Sequence, residues 1–440
     1  MPITRRAFLQ GLGATGAAVA ASGCGFHGSV GLREPAIPIP AHPVLVVIDI
    51  DGGWDWLNVL TPMSGSNRAV YEANRATLGI PVDQLVAVDG DAGLNRDLTG
   101  MGDLDARGRV AWIPGIGMNN PNLSHFVSIA LWGQGALQPN GTGWLGRFAD
   151  TAFNAAGDVL RGLTVTSDLP QMLHGATRSF VSITSSSGYV YPAWLRSNRI
   201  GAPYDPQVLE NGFASAVTAA TTDPGQKVAA QSGKLFLDAQ NGFGTNGTLP
   251  PFTPTVPYPG DPTYPVKSVS GGSLTSSLSY QLKLIAQMLA SGLPTQVFFA
   301  RLSGWDTHSN EARDLPNLQR ALGGSIKAFY DDLAKVQTPL GNAQERVMVV
   351  GYSEFGRRVP ENQGGTDHGT AGLAFAVGRA VTGGVYGSYP ALADLDQNHN
   401  MKYTTDFRSL YATILDRWLG QAASATNSIL GTSYPRLAFL

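Results

Sequence analysis

Three predominantly apolar runs constrain the fold of this chain more than any other feature. They are VLVVIDI (44–50), TQVFFARL (295–302) and VMVV (347–350). Such runs are typical of strands that are buried on both faces of a parallel sheet. Shorter runs at 109–114 and 163–166 are predicted to be strands as well, and amphipathic helices are predicted between the strands. The sequence therefore predicts an α/β fold in which a mostly parallel sheet is sandwiched between helices.

The composition limits the classes of partner. The 440 residues carry a net charge of -2, only 14% are charged, and no basic stripe is present. We therefore expect no binding to nucleic acid. The 54 glycines and 28 prolines predict many loops, while 43% hydrophobic residues are enough to fill a large core.

The N-terminus has the pattern of an export signal. Arg5 and Arg6 precede a weakly apolar run that ends near Ala21, which resembles a twin-arginine signal. Ala21-Ser22-Gly23-Cys24 resembles a lipoprotein cleavage box, although Ala21 stands where a leucine is usual. We therefore expect a signal over residues 1–24, a proline-rich tether over 25–43, and location in the periplasm or cell envelope. The sequence leaves open whether Cys24 is lipidated and tethers the protein to a membrane.

Residues 44–440 are predicted to form a single domain. An irregular loop insertion rich in proline and glycine spans about residues 241–273. Its aromatic residues favour an ordered loop over the body of the domain rather than a linker.

Polar side chains follow the strong strands at their predicted carboxyl ends. In open α/β sheets these ends meet at one edge, where ligands bind. The candidate residues are Asp51 and Asp55 after the first run, Asp306 and His308 after the second, and Glu354, Arg357, Asp367 and His368 after the third.

Ser124 and His125 follow another predicted strand and precede residues with helical spacing. Ser124 is therefore predicted to lie at a helix N-terminus, where anions bind favourably. A serine at this position is often only an N-cap. The alternative is a serine nucleophile activated by a metal, with His125 beside it.

The available ligand chemistry is restricted to oxygen and imidazole. Cys24 is the single cysteine of the chain, so the predicted domain has no thiolate ligand. His125, His308 and His368 each lie in one of the strand-end motifs. Zinc, manganese, magnesium or calcium would suit such a site, and the sequence does not choose between them.

Several motifs resemble those of a known family. GWDTHSNE, YSEFGRRVPENQGGTDHGTAG, NLSHF, GWLGRF and DGGWDWLN are similar to motifs of the exported bacterial family called domain of unknown function 1501. That family is similar to the alkaline phosphatase and sulfatase superfamily. The resemblance implies an alkaline-phosphatase-like α/β fold with a metal site at the strand ends.

The resemblance also implies roles for individual residues. Ser124 would be the nucleophile, and Asp51 or Asp55 the first metal ligand. Asp306 with His308, and later His368, would complete a metal site, with Glu354 where the superfamily has an Asp-His dipeptide. Phe355 replaces the histidine of that dipeptide and puts a two-metal centre in doubt. The formylglycine sulfatase signature is absent after Ser124.

The leading hypothesis is an exported, metal-assisted hydrolase of phosphate or sulfate esters, acting on a small molecule or a polysaccharide. Arg357 would clamp the anion, and Asp367 would either bind the metal or orient His368. The alternative is a noncatalytic envelope or surface protein that keeps the hydrolase fold for binding or assembly. A third hypothesis is carbohydrate binding by exposed tryptophans at Trp54, Trp56 and Trp305.

Overall fold

The chain builds its largest sheet from nine strands within the residues that the computed structural model describes, which are 33–88, 91–135, 141–153, 159–178, 180–188, 212, 214–219, 221–245 and 247–440. The strands of this sheet and of the three smaller sheets are, in chain order, β1 (Val44–Asp51), β2 (Leu60–Pro62), β3 (Leu85–Ala87), β4 (Ala92–Asn95), β5 (Val110–Gly117), β6 (Gly162–Thr164), β7 (Val181–Ser182), β8 (Val297–Ser303), β9 (Gln337–Thr338), β10 (Gly341–Asn342), β11 (Val347–Tyr352), β12 (Gly356–Asn362), β13 (Gly365–Gly369), β14 (Gly372–Gly378), β15 (Gly384–Val385) and β16 (Thr405–Asp406).

The strands of the large sheet lie in the order β15-β5-β14-β11-β1-β8-β6-β7, and β16 also pairs with β5. Strand β1 is parallel to both of its neighbours, with Val47 opposite Val350 and Phe299. Strand β14 alone runs antiparallel, to β11 and to β5. Strands β1, β5, β8 and β11 therefore end at the same edge of the sheet. The predicted mostly parallel α/β sheet is confirmed.

Both faces of the sheet are buried. Val46 and Ile48 of β1 belong to one hydrophobic cluster, and Leu45 and Val47 belong to the other. Because successive side chains of a strand point to opposite faces, an uninterrupted apolar run serves two cores at once.

Helices supply the other side of each core. The helices at 277–290 and 311–333 contribute to the first cluster, and those at 125–134, 144–152 and 407–413 contribute to the second. The helices are α1 (Gly65–Asn74), α2 (Thr99–Ala106), α3 (His125–Gln134), α4 (Trp144–Ala152), α5 (Pro224–Gly242), α6 (Ser277–Ala290), α7 (Glu311–Leu333), α8 (Ala343–Arg346), α9 (Phe407–Thr413), which continues as a π-helix over Ile414–Trp418, and α10 (Ala423–Leu430). Across the described part of the chain, every helix is too short or too polar to span a bilayer.

The segment between α5 and α6 contains the predicted irregular loop. It makes specific bonds to α7: the Tyr258 hydroxyl donates to Asp332 Oδ2 at 3.0 Å, and the Thr255 N–H donates to Asp332 Oδ1 at 2.7 Å. Because Tyr258 is fully buried, these bonds hold the loop against the core.

Part of the predicted tether also contacts the folded unit, which spans Arg33–Leu440. Arg109 donates to Glu34 at 2.7 Å, and the Ile37 N–H donates to the Arg379 carbonyl at 3.0 Å. Residues 33–43 therefore do not form a free spacer. The twin arginines and Cys24 lie outside the described residues.

Candidate functional site

Four segments of the chain meet at the sheet edge where β1, β5, β8 and β11 end. The segment after β8 carries Asp306 and His308, and the segment after β11 carries Glu354. His125 begins α3 after β5, and His368 lies on β13, which pairs with β12 as a hairpin. The sheet thus brings His125 and Glu354 together although they are 229 positions apart in sequence.

Three of these side chains converge on a common point. His368 Nε2 lies 3.1 Å from Asp306 Oδ1, and His125 Nε2 lies 3.4 Å from Asp306 Oδ2. The ligand-type atoms of His125, Asp306 and His368 all lie within 4.8 Å of one another. His308 adjoins them, since its Nε2 is 3.2 Å from Asp306 Oδ1 and 2.9 Å from His368 Nε2. We call these four residues the histidine cluster.

The opposite ring nitrogens of two histidines are bound to oxygen acceptors. His125 Nδ1 lies 2.6 Å from Glu354 Oε1, and His368 Nδ1 lies 2.8 Å from the Leu123 carbonyl oxygen. Both oxygens only accept, so each Nδ1 carries a proton, and each Nε2 offers a lone pair to a metal when its ring is neutral. The hydrogen bond with Glu354 raises the pKa of His125. Histidines that bind metals have this arrangement, with the outer N–H held by a carboxylate or carbonyl. His125 Nε2 is buried and has no hydrogen-bond partner among the described residues.

Glu354 lies behind His125 rather than at the centre of the cluster. Its carboxylate accepts the N–H groups of Gly52 and Gly53 at 3.1 and 3.2 Å and the Ser353 hydroxyl at 2.7 Å. Burial raises the pKa of Glu354, but hydrogen bonds, first from His125 and then from Ser353 and the backbone, bring it below its usual value. Glu354 was predicted as a metal ligand, whereas its position is that of the group that orients His125.

The two glycines after β1 permit this approach. Gly52 has a φ of +130°, and a Cβ there would lie 2.5 Å from the Asp306 backbone nitrogen. A Cβ on Gly53 would lie 2.2 Å from the ring of Phe355. Any larger residue would separate the β1 turn from the segments that carry the cluster.

Arg357 supports Asp306 from inside the protein. Its side chain is fully buried, and its Nη2 donates to Asp306 Oδ1 at 2.6 Å and to the Gly52 carbonyl at 2.6 Å. Its Nη1 donates to the Thr366 carbonyl at 2.7 Å. Burial would raise the pKa of Asp306, but the hydrogen bonds and charges of Arg357 and the histidines lower it to about 2. The predicted anion clamp is not supported, because Arg357 faces Asp306 and backbone carbonyls instead of solvent.

The carboxylates at the end of β1 lie apart from the cluster. Asp51 Oδ2 accepts the Ser303 hydroxyl at 2.7 Å. Asp55 is fully buried and forms a two-pronged ion pair with Arg75, at 2.6 and 2.9 Å. Among the described residues, neither carboxylate forms a hydrogen bond or an ion pair with the histidine cluster.

Glu311 completes the buried network around Asp55. Both carboxyl groups are inaccessible to solvent, and Glu311 Oε2 accepts the hydroxyls of Thr307 and Thr366 at 3.0 and 2.8 Å. Burial, followed by the charge and hydrogen bond of Asp55, raises the pKa of Glu311 to about 9. Of the two carboxyl groups, Glu311 therefore holds its proton more strongly, and Asp55 ionises more readily beside Arg75.

Asp367 was predicted to bind the metal or to orient His368. Its Oδ1 instead lies 3.6 Å from His308 Nδ1, and the Asn362 amide donates to it at 3.3 Å. The His368 ring is oriented by the Leu123 carbonyl, as described above. Asp367 is thus placed beside a different histidine of the cluster.

Ser124 is the N-cap residue of α3 and is exposed to solvent. Its hydroxyl makes no capping bond to the first turn of the helix, and its own N–H donates to Asn122 Oδ1 at 2.8 Å. The N-cap interpretation alone therefore does not account for the hydroxyl. Ser124 directly precedes His125, which belongs to the histidine cluster.

Aromatic residues pack around the cluster without forming an exposed surface. The Phe355 ring lies 4.9 Å from that of His125 and 4.6 Å from that of His368, so Phe355 forms an apolar wall. Trp54, Trp56 and Trp305 are each fully buried. The hypothesis of carbohydrate binding by these three tryptophans is wrong, because their rings fill the core.

The sequence analysis did not identify several side chains that pair with the candidate site residues and so determine what those residues do. It placed His125 beside the serine as a catalytic residue but did not include it among the metal ligands. It did not assign Arg75 or Glu311 to the environment of Asp55. Strand alternation after Phe355 could have shown that Arg357 and Arg358 point in opposite directions. No pattern in the sequence indicates which direction is inward.

The chain is similar to several solved structures at low sequence identity. The alkaline phosphatase from the Antarctic bacterium TAB5 is 11% identical, with 78% of this chain and 94% of that chain covered and a TM-score of 0.28. A protein in the alkaline phosphatase superfamily from Vibrio parahaemolyticus is 8% identical, with 91% and 76% covered and a TM-score of 0.35. The C-terminal periplasmic domain of EcEptC from Escherichia coli, in complex with Zn, is 9% identical, with 87% and 86% covered and a TM-score of 0.34.

The predicted family resemblance is confirmed over the C-terminal part of the chain. The family model described as "Protein of unknown function (DUF1501)" matches residues 277–434. The matched stretch contains GWDTHSNE and YSEFGRRVPENQGGTDHGTAG, whereas DGGWDWLN, NLSHF and GWLGRF lie before it. No curated protein matches the sequence. Over residues 277–434, the chain is therefore similar to the DUF1501 family of proteins of unknown function.

Proposed function

We propose that this protein is a metal-assisted hydrolase of phosphate or sulfate esters that uses Ser124 as its nucleophile. One observation carries the proposal: the Nε2 atoms of His125 and His368 converge on the Asp306 carboxylate while their Nδ1 atoms are bound to Glu354 and the Leu123 carbonyl. Two imidazole nitrogens that face a carboxylate are stabilised by a cation between them, either protons on the nitrogens or a metal ion. The arrangement therefore fits a divalent ion.

The donor set narrows the choice of metal. His125, His368 and Asp306 would hold the ion, with His308 adjacent. Two imidazoles with one carboxylate suit zinc or manganese better than magnesium or calcium, which prefer oxygen ligands throughout. Such an ion stabilises negative charge that develops on the oxygens of a phosphoryl or sulfuryl group.

The residues of the chain would divide the remaining chemistry. Ser124 Oγ would attack the phosphorus or sulfur atom, the bond to the leaving alcohol would break, and the serine proton would end on that alcohol. Water would then hydrolyse the serine ester and restore the hydroxyl. The free N–H groups in the first turn of α3 favour the anionic group beside Ser124. Glu354 and Leu123 hold the two imidazoles, and Phe355 limits the access of water behind them.

Replacing Ser124 by alanine tests this function. We expect the metal-loaded variant to lose turnover on a panel of phosphate and sulfate esters by roughly 10³-fold or more, because the nucleophile is removed. Metal content is expected to stay the same. Ser64→Ala is the matched control, since Ser64 is also exposed and is the N-cap of α1. That variant should keep full turnover.

Equal and negligible turnover by the wild-type protein and the Ser124→Ala variant would contradict the hydrolase proposal. Two observations already favour the second candidate, a noncatalytic envelope protein that binds or assembles through this fold. Phe355 occupies the position of an expected ligand, and Arg357 is turned inward from the substrate side. Stoichiometric metal without turnover would support that candidate.

We also propose that the protein is exported by the twin-arginine route and is anchored to the envelope through Cys24. The support is the sequence pattern around Arg5-Arg6 and Ala21-Ser22-Gly23-Cys24. We expect cells grown with a palmitate analogue to incorporate the label into the wild-type protein but not into the Cys24→Ser variant. An unlabelled wild-type protein would show that Cys24 carries no lipid anchor.

A further inference from the structure

A polar cleft of about 1060 Å³ lies next to the histidine cluster. One wall is the segment 118–123, which follows β5, and the opposite wall is the segment 395–403. A volume of this size can hold more than a single phosphate or sulfate group. Five carboxamide side chains line it: Asn119, Asn120, Gln397, Asn398 and Asn400.

The cleft and the cluster share a segment of the chain. Leu123 lines the cleft, and its carbonyl accepts the Nδ1–H of His368 at 2.8 Å. The next two residues are Ser124 and His125. A molecule whose ester group reaches the cluster would therefore extend its remaining groups along this wall of the cleft.

Arg358 brings a positive charge into the cleft. It follows Arg357 on β12, and successive side chains of a strand point in opposite directions. Arg357 is directed at Asp306, whereas Arg358 lines the cleft. Arg358 Nε donates to Asn400 Oδ1 at 3.3 Å, and Asn400 is only 2% exposed. A buried amide thus orients the guanidinium.

The other charged groups of the cleft are engaged with their own loop. Asp396 Oδ1 accepts the N–H groups of Asn398 and Asn400, both at 2.8 Å. Lys402 Nζ lies 2.5 Å from Asp394 Oδ1. Arg358 is therefore the cation of the cleft whose hydrogen-bond partner is a neutral side chain, and its charge also acts on the nearby Asp396 carboxylate.

The lining identifies the chemical class of the ligand. Carboxamides both donate and accept hydrogen bonds, as sugar hydroxyls do, and a guanidinium binds sulfate or phosphate in a two-pronged manner. Tyr403, which is 37% exposed, adds an aromatic face. We propose that the cleft binds a carbohydrate that carries a second sulfate or phosphate group, and that Arg358 contacts this second group. This inference rests on the proposed function, since it assigns the first ester group to the histidine cluster.

Calorimetric titration of the full-length Ser124→Ala protein tests the cleft without turnover. The probes are disaccharides that carry two, one or no sulfate groups, and a matching series with phosphate. We expect the doubly modified sugar of one series to bind roughly tenfold more tightly than the singly modified sugar, because it gains a charge-assisted contact. Arg358→Gln should abolish this preference, and Arg358→Lys should retain part of it. The series that shows the preference distinguishes sulfate from phosphate.

Lys234→Gln is the charge-matched control, because Lys234 is 63% exposed on α5 and does not line the cleft. The proposal is overturned if Arg358→Gln keeps the preference while its thermal unfolding is unchanged, or if Lys234→Gln loses as much of it. It also fails if the three sugars of both series bind equally.

Turnover of a nitrophenyl phosphate and a nitrophenyl sulfate, measured on proteins that retain Ser124, separates the two proposals. If Arg358→Gln abolishes the preference while the proteins that retain Ser124 show no turnover, the cleft is supported and the hydrolase is rejected. Turnover with a preference that does not depend on Arg358 supports the hydrolase and rejects the cleft.

Discussion

Replacing Asp306 by asparagine is expected to lower the affinity of the protein for zinc or manganese by about 100-fold or more. Removing a group that merely orients a metal ligand already costs about 10- to 100-fold, and Asp306 is the carboxylate at the centre of the histidine cluster. Asparagine keeps an oxygen that can accept from Arg357, so the buried guanidinium should not lose its partner. Titration calorimetry and elemental analysis after native purification measure the effect.

Two further substitutions make the expected result specific. Asp51→Asn should leave metal affinity unchanged, because Asp51 contacts Ser303 and is not part of the cluster. Glu354→Gln should give an intermediate loss of about 10- to 100-fold, since it weakens the acceptor that orients His125. Equal affinity in the wild-type protein and the Asp306→Asn variant would remove the metal from the proposed mechanism.

Metal binding should also be visible as added stability. A ligand that binds the folded state at 100 times its dissociation constant raises the free energy of unfolding by about 2.7 kcal/mol. We therefore expect the thermal midpoint of the wild-type protein to rise with added metal and that of the Asp306→Asn variant to respond far less. This comparison needs no substrate and so does not depend on catalytic activity.

The fold could be predicted from the sequence because its strongest signal is local. Val44–Ile48 and Val347–Val350 are apolar without interruption, and this pattern has few explanations other than a strand buried on both faces. Parallel neighbours then bring the following loops to one edge of the sheet. For this reason, the amino-acid sequence alone is enough to locate the region that contains Asp306, His125 and His368.

The roles within the site could not be predicted because distant partners decide them. Asp51 and Asp55 look equivalent in DGGWD, yet Arg75 lies 20 residues after Asp55 and neutralises it in the core. Glu354 looks like a ligand until the N–H groups of Gly52 and Gly53, about 300 residues earlier, occupy its oxygens. Local composition contains no information about such pairings.

Arg357 shows that the direction of a side chain on one strand also cannot be predicted from the sequence. Two consecutive arginines predict one inward and one outward side chain, but the choice depends on the register of β12 with β13. The hypothesis of an anion clamp selected Arg357, whereas the cleft contains Arg358. The chemistry assigned to this pair was reasonable, but the pairing of the two strands decides which arginine can perform it.

Replacing Arg75 by methionine is expected to destabilise the protein by about 3 to 5 kcal/mol, since it leaves the Asp55 carboxylate buried without its countercharge. The loss should depend on pH. Burial raises the pKa of Asp55, but the charge and hydrogen bonds of Arg75 bring it below its usual value in the wild-type protein. Without Arg75, the pKa in the folded state should rise above that in the unfolded state. Stability then falls as pH increases, because the unfolded state releases the proton first.

The loss in free energy of unfolding of the Arg75→Met variant, relative to the wild-type protein, should therefore be larger at pH 8 than at pH 5. Urea midpoints at each pH measure this loss. Arg313→Met is the control, since Arg313 is 68% exposed and its loss should leave the urea midpoints nearly unchanged. The double variant with Asp55→Asn removes the buried charge, so its stability should depend less on pH than that of Arg75→Met. A deficit of the same size at both pH values would show that lost packing, and not the unpaired carboxylate, accounts for the instability.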